Sequence, residues 1–228
     1  MSYVIDPPRI ASLPVTGSSA RFPVHRIYCI GRNYAEHAKE MGAAVDRSQP
    51  LFFCKPADAI VSDGADVIYP PATTDLHHEV EMIVALARGG RDIAVDRALE
   101  CVYGYGVGLD LTRRDLQAAA KAKGLPWDSA KAFDQSAPVS ALQRAADIGH
   151  PREARLTLTV NSNVRQQADI SEMIFSVPEI IHELSKLWEL APGDLIFTGT
   201  PAGVAALQRG DRFRAELEGI AAMEAHIV

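Results

Sequence analysis

His77-His78-Glu79-Val80-Glu81-Met82 is the stretch on which the reading of this chain turns. Side chains two apart on a strand point to the same face. A strand over Glu79 to Ala87 therefore sets Glu79 and Glu81 side by side and turns Val80, Met82 and Val84 to the other face. Taken alone, the pair reads first as a solvated acidic face. The run Gly104-Tyr105-Gly106-Val107-Gly108-Leu109-Asp110 changes that reading. Val102 to Leu109 is apolar and rich in glycine, the composition of a buried strand under close backbone approach, and it runs into a carboxylate. An unpaired buried charge is very costly, and three converging carboxylates raise one another's pKa values. A hard divalent cation removes the repulsion. All-oxygen donors favour Mg²⁺ or Mn²⁺, with Ca²⁺ also admitted, over Zn²⁺. Glu79, Glu81 and Asp110 are thus the expected metal ligands, with His77 and His78 beside them as further candidates.

Outward from this centre, strand-like and helical segments alternate. His25 to Gly31, Leu51 to Lys55, Leu156 to Val160, Asp194 to Thr198 and Arg212 to Glu218 read as strands. Asn161-Ser162-Asn163 reads as a turn. Helices are expected over Asn33 to Met41, closed by Gly42, and over Asp115 to Lys123 with Thr112 as its cap. A third, opened by the capping box Ser176-x-x-Glu179, is expected to run to about Leu190 and to be ended by Pro192-Gly193-Asp194. Residues 1–23, rich in Pro, Ser and Gly, read as an N-terminal arm, and 24–228 as a single catalytic domain. Many strands, few helices and glycine at the bends predict an α+β, β-dominated fold with peripheral helices.

Composition excludes several classes. The 228 residues carry a formal charge of -6 and a pI near 5.6, which argues against nucleic acid as a partner. Three widely spaced cysteines suggest neither a disulfide framework nor a CxxC metal site, and point to reduced, mostly buried thiols. The N-terminus lacks the pattern of a signal peptide, and no apolar run is long enough for a membrane span. The expectation is a cytoplasmic enzyme. Neither a Gly-x-Ser-x-Gly elbow nor a nucleotide phosphate loop is present.

His37 and Glu40 stand three apart and would share a helix face. The pair fits either a surface ion pair or a general base that Glu40 orients. Lys131, between two alanines, fits an exposed lysine as readily as one that stabilises substrate charge. The loop Thr198-Gly199-Thr200-Pro201-Ala202-Gly203 fits an ordinary turn or a set of donors facing an anion.

Together, Gly31-Arg32-Asn33-Tyr34-Ala35-Glu36-His37, His77 to Glu81, Leu109-Asp110-Leu111-Thr112-Arg113-Arg114-Asp115, Lys131 with Phe133, and Thr198 to Gly203 resemble the fumarylacetoacetate hydrolase superfamily. The segments keep that family's order, and the resemblance runs from about His25 to the C-terminus. Phe52-Phe53-Cys54-Lys55-Pro56-Ala57-Asp58 is most similar to the fumarylpyruvate hydrolases of gentisate breakdown, among the acylpyruvate hydrolases. The resemblance implies rolled mixed β-sheets around the metal, usually in a homodimer. It implies a metal-dependent hydrolase acting on a carbon–carbon bond of a small anionic diketo acid. Glu79, Glu81 and Asp110 fall on the metal ligands, His37 and Glu40 on a catalytic dyad carried by a lid, Lys131 on a site lysine, and Arg114, Gln117 and Thr200 on substrate contacts. Arg32, Arg113 and Arg114 are available to a distal carboxylate, Arg113 standing where relatives often carry a small residue. Oxaloacetate decarboxylation and dienoate isomerisation on the same scaffold remain the alternatives, as does a metal-stabilised binding protein. The intact His37, Glu40 and Lys131 argue against the last.

Overall fold

The alternation read around Glu79 builds the middle of the molecule. In the computed structural model, which describes residues 2–40, 42 and 47–228, the strand Val80–Leu86 is buried on both faces. Val80, Met82, Val84 and Leu86 enter the larger core, while Ile83 and Ala85 enter a smaller one on the opposite face. Its antiparallel neighbour Val102–Leu109 sends Val102, Tyr105, Val107 and Leu109 into the larger core. The alternate positions Gly104, Gly106 and Gly108 carry no side chain, and residues 138–144 cross the strand there. A Cβ at Gly104 would lie 2.3 Å from the carbonyl oxygen of Gln143, and one at Gly108 would lie 2.8 Å from that of Pro138.

These two strands belong to a six-stranded mixed sheet. Its order is Gln143–Arg144, Val102–Leu109, Val80–Leu86, Leu195–Phe197, Ile27–Gly31, Leu51–Lys55. Leu195–Phe197 pairs parallel with Ile27–Gly31 and antiparallel with Val80–Leu86. An antiparallel sheet of Asn163–Asp169, Arg155–Val160, Arg212–Leu217 and Ala221–His226 closes the larger core with Leu156, Leu158, Phe213, Ala215 and Leu217. The helix Val177–Leu187 adds Val177, Ile180, Ile181 and Leu184. The expected α+β, strand-dominated architecture is therefore present.

The differences from the expected elements have local causes. The first helix is Ala35–Glu40, because the Asn33 side chain is committed elsewhere: its Nδ2 donates to the carbonyls of Phe175 and Thr198, and its Oδ1 accepts from Phe175 N. Met41, the expected end, lies outside the described residues, whereas Gly42 closes the turn with φ 67° and a bond to Lys39 O. Thr112 is not a cap. It pairs with His77 in a short strand and its hydroxyl donates to Asp110 O, so the next helix begins at Arg114 and ends at Lys123, before Gly124 with φ 64°. At Ser176 the expected capping interaction is present, with Glu179 Oε2 accepting from the backbone N–H and the hydroxyl, but the helix stops at Leu187. Asn161 and Ser162 both have positive φ, the two-residue hairpin turn that suits strand twist.

Of the expected arm, residues 2–10 are exposed, while Ser12–Pro14 pairs with Arg21–Pro23 and buries Leu13, Val15 and Phe22 in the smaller core. Cys29 and Cys101 are buried free thiols, and Cys54 is exposed. Among the described residues no helix is long and apolar enough to cross a membrane.

The glycine face gives a direct test. Gly104→Ala places its methyl against backbone that cannot rotate away, so it should lose about 1–3 kcal/mol of stability, the usual scale of overpacking. Urea unfolding measures this. An unchanged midpoint would mean that residues 143–144 move aside freely.

Candidate active site

Strand pairing brings the acidic side chains together. Glu81 lies opposite Gly108 and Val80 opposite Leu109. Asp110 N–H then donates to Glu79 O at 2.9 Å, so Asp110 continues the glycine face and arrives across from Glu79. The three carboxylates each offer an oxygen, all within 4.8 Å of one another, and all three residues are buried. Among the described residues no histidine joins this cluster. His77 is turned to Asp75, 2.9 Å away, and to Arg114. Burial, above all, lowers the pKa of His78, and its Nδ1 donates to Gln166 Oε1 at 2.9 Å.

The cluster is partly neutralised from the protein side. Lys131 Nζ lies 2.8 Å from Glu79 Oε2 and 2.6 Å from Asp110 Oδ2. Arg114 Nη2 lies 2.6 Å from Glu79 Oε1. Lys55 was not among the site residues expected from sequence, yet its buried Nζ sits 2.8 Å from Asp110 Oδ1. Lys55 also donates to the carbonyls of Leu111 and Lys131, and Asp110 Oδ1, although beside the ammonium, accepts no aligned hydrogen bond. Glu81 has no cationic partner within ion-pair distance among the described residues, and its Oε2 accepts from Gly199 N at 2.7 Å. Burial, then Asp110 and Glu79, push the Glu81 carboxyl well above the usual range. Burial acts in the same direction on Glu79, but Lys131 and Arg114 outweigh it and hold that carboxyl below the usual range.

The remaining expected residues gather around one cavity, lined in part by Arg32, His37, Arg114, Gln117, Lys131 and Thr200. His37, 5% exposed, has Nδ1 3.2 Å from Glu40 Oε2. Glu40 in turn accepts from Gly203 N at 3.1 Å. The dyad helix is thus docked on the 198–203 loop. Arg114 faces the cavity but is held by Glu79, and its Nη1 donates to Gln117 Oε1 at 2.6 Å, which leaves the Gln117 amide N–H groups for the cavity. Gln166 Nε2 donates to Thr200 Oγ1 at 2.8 Å, which frees the Thr200 hydroxyl hydrogen to point elsewhere. Arg113 is the exception. Its guanidinium stacks 4.4 Å from the Phe133 ring centroid and donates to Ser129 O, away from the cavity lining.

Gln166 and Lys55 had no sequence signal of their own. Gln166 sits in the strand Asn163–Asp169, whose mostly polar Asn-Val-Arg-Gln-Gln-Ala-Asp lacks an apolar alternation. Lys55 ends the strand Leu51–Lys55, which lies at the edge of the central sheet.

Residues 26–228 match the fumarylacetoacetate (FAA) hydrolase C-terminal family. The chain is 46% identical over 197 residues to the mitochondrial oxaloacetate tautomerase of Rattus norvegicus, covering 86% of this chain and 89% of that protein. To the oxaloacetate tautomerase of Escherichia coli it is 40% identical over 204 residues, covering 89% and 93%. Its structure superposes on a fumarylpyruvate hydrolase from Pseudomonas aeruginosa in complex with Mn²⁺ and pyruvate, with a TM-score of 0.97, 46% identity and coverage of 100% and 99%. A putative fumarylpyruvate hydrolase from Burkholderia cenocepacia gives a TM-score of 0.93 at 53% identity, covering 100% and 95%. The chain belongs to the fumarylacetoacetate hydrolase family.

The two glutamates make opposite contributions to stability in cation-free protein. Glu81, with its folded pKa raised, keeps a proton that the unfolded chain releases near 4.5, so its contribution falls as pH rises above that value. Glu79, with its folded pKa lowered, stabilises above about 4.5 and loses that contribution as pH falls. Glu81→Gln should therefore melt higher than the parent at pH 8 in chelator, by about 2–4 °C per kcal/mol gained, with the gap closing toward pH 4.5. A lower melting temperature at pH 8 would show that Glu81 is already ionised and satisfied.

Proposed function

We propose that the chain hydrolyses the carbon–carbon bond of an acylpyruvate, with fumarylpyruvate to fumarate and pyruvate as the main reaction. The observation that carries this is His37, held by Glu40 and lining the same cavity as Glu79, Glu81 and Asp110. The donor set fits a hard divalent cation, Mg²⁺ or Mn²⁺. It is all carboxylate, Glu81 lacks a cationic partner among the described residues, and Asp110 Oδ1 accepts no aligned hydrogen bond. Bound on these residues, the cation would supply Lewis acidity toward the 2-oxo acid end of the substrate.

The side chains do the rest. With Nδ1 engaged by Glu40, His37 has Nε2 left to take a proton from water. The water oxygen bonds to the acyl carbonyl carbon. The bond from that carbon to the neighbouring methylene then breaks, and its electron pair passes into the 2-oxo acid fragment. Lys131, the Gln117 amide and the Thr200 hydroxyl are the donors facing the developing negative charge. The proton held by His37 returns to the methylene carbon, which becomes the methyl group of pyruvate.

A second reading is favoured by the names of the relatives. Oxaloacetate tautomerisation would use the same carboxylates and a proton-transferring base, with neither an attacking water nor a broken carbon–carbon bond. Products separate the readings. Equimolar fumarate and pyruvate from fumarylpyruvate, lost on chelation and restored by Mg²⁺ or Mn²⁺, is the expected result. Enol-to-keto conversion of oxaloacetate that outruns every acylpyruvate, without pyruvate release, would replace hydrolase by tautomerase. Pyruvate and carbon dioxide from oxaloacetate would instead identify a decarboxylase.

His37→Ala should lower kcat about 10²- to 10⁴-fold, the scale of a positioned general base, and Glu40→Gln should lower it less. The rise in melting temperature on adding Mn²⁺ should survive both substitutions, because neither residue is in the carboxylate cluster. Near-normal hydrolysis by His37→Ala would remove histidine from the water-activating step.

A further inference from the structure

We infer that Lys121, with Arg32 beside it, is the receptor for the distal carboxylate of a dicarboxylic acyl arm, and so sets the substrate class of the site. This rests on the acylpyruvate hydrolase reading above.

Besides His37, four arginine and lysine side chains line the cavity: Arg32, Arg114, Lys121 and Lys131. Two are already committed. Lys131 lies on Glu79 and Asp110, and Arg114 lies on Glu79 and Gln117. Arg113 is turned onto Phe133. Arg32 and Lys121 are different, since neither has a carboxylate within ion-pair distance among the described residues. The Lys121 ammonium rests 5.1 Å from the Trp127 ring centroid. Burial, then Arg114 and Arg32, depress its pKa, and among the causes only Glu79 opposes them. Arg32 and Lys121, both exposed residues on the cavity lining, thus bring positive charge that no carboxylate within ion-pair distance among the described residues offsets, the condition for recognising an anion.

Arg32 is also held in place. It has φ 62°, a left-handed conformation uncommon for a residue with a side chain. The bonds of its neighbour Asn33 to Phe175 and Thr198 hold the backbone there. Phe53 and Trp127 supply aromatic surface in the same cavity, with ring centroids 6.0 Å apart. Such walls suit a flat conjugated chain ending in a carboxylate. A methyl ketone arm would leave both cations unmet.

The test compares kcat/KM for fumarylpyruvate and acetylpyruvate in the wild type, Lys121→Met, Lys121→Arg and Arg32→Met. In Lys121→Met the fumarylpyruvate-to-acetylpyruvate ratio should fall about ten- to hundredfold, the size of one lost charged hydrogen bond. Arg32→Met should lower it in the same direction, and Lys121→Arg should keep most of it. Lys123→Met removes the same charge from a position on the same helix that does not line the cavity and should leave the ratio at the wild-type value. A ratio unmoved by Lys121→Met, or moved equally by Lys123→Met, overturns the assignment while leaving the hydrolase reading standing. A wild type that releases pyruvate from neither substrate overturns the hydrolase reading itself, and this assignment with it.

Discussion

Three carboxylates meeting at the buried end of one strand pair is the constraint on which the molecule is arranged. Ionised groups withdrawn from water carry a penalty of several kcal/mol each unless they are paired and hydrogen-bonded. Here the compensation comes from separate parts of the chain. Lys55 arrives from the far edge of the central sheet, Arg114 from a helix start, Lys131 from a short helix and Gly199 N–H from a loop. Each contact that makes the acidic cluster tolerable also ties another segment to the strand pair Val80–Leu86 and Val102–Leu109 or to the residues that adjoin it. Site and fold share the same interactions, and neither can be loosened alone.

What could be read in the sequence follows from the range of the interaction involved. Glu79, Glu81 and Asp110 were legible because strand alternation is local, and because glycines at 104, 106 and 108 mark one face of a covered strand. The Ser176–Glu179 cap and the Asn161–Ser162 turn were legible for the same reason. Thr112 was misread as a cap because its backbone partner, His77, lies far back in the chain. Lys55 and Gln166 escaped notice because their partners are remote: Asp110 and Lys131 for one, His78 and Thr200 for the other. The strand Ala221–His226 carries little alternation, and pairing with Arg212–Leu217 alone defines it. The family resemblance located His37, Lys131 and Thr200 at the cavity, but it could not show that Arg113 turns outward onto Phe133.

Hydrolysis and tautomerisation differ little at the acidic cluster. Both need negative charge held on a 2-oxo acid and a proton moved at the adjoining carbon. They diverge in what lies opposite: a water within reach of His37, and room for an acyl group beyond the bond that breaks. In the hydrolase reading the docked dyad would answer the first requirement, and Phe53, Trp127, Lys121 and Arg32 the second. In the reading proposed above, the groups that would decide between the two reactions sit on the 32–40 segment and on the helix Arg114–Lys123.

Leu195–Phe197 lies between Val80–Leu86 and Ile27–Gly31 in the central sheet, and among the described residues the two halves of that sheet pair only through it. A chain emerging from the ribosome can pair Ile27–Gly31 with Leu51–Lys55, and Val80–Leu86 with Val102–Leu109, long before residue 195 exists. Both pairs then wait with an open inner edge of largely apolar strand, the kind of surface that recruits other chains. Closure comes late and over a long sequence separation, which slows folding. The hazard of this architecture thus falls during synthesis, when a missing strand leaves a gap in the middle of the sheet.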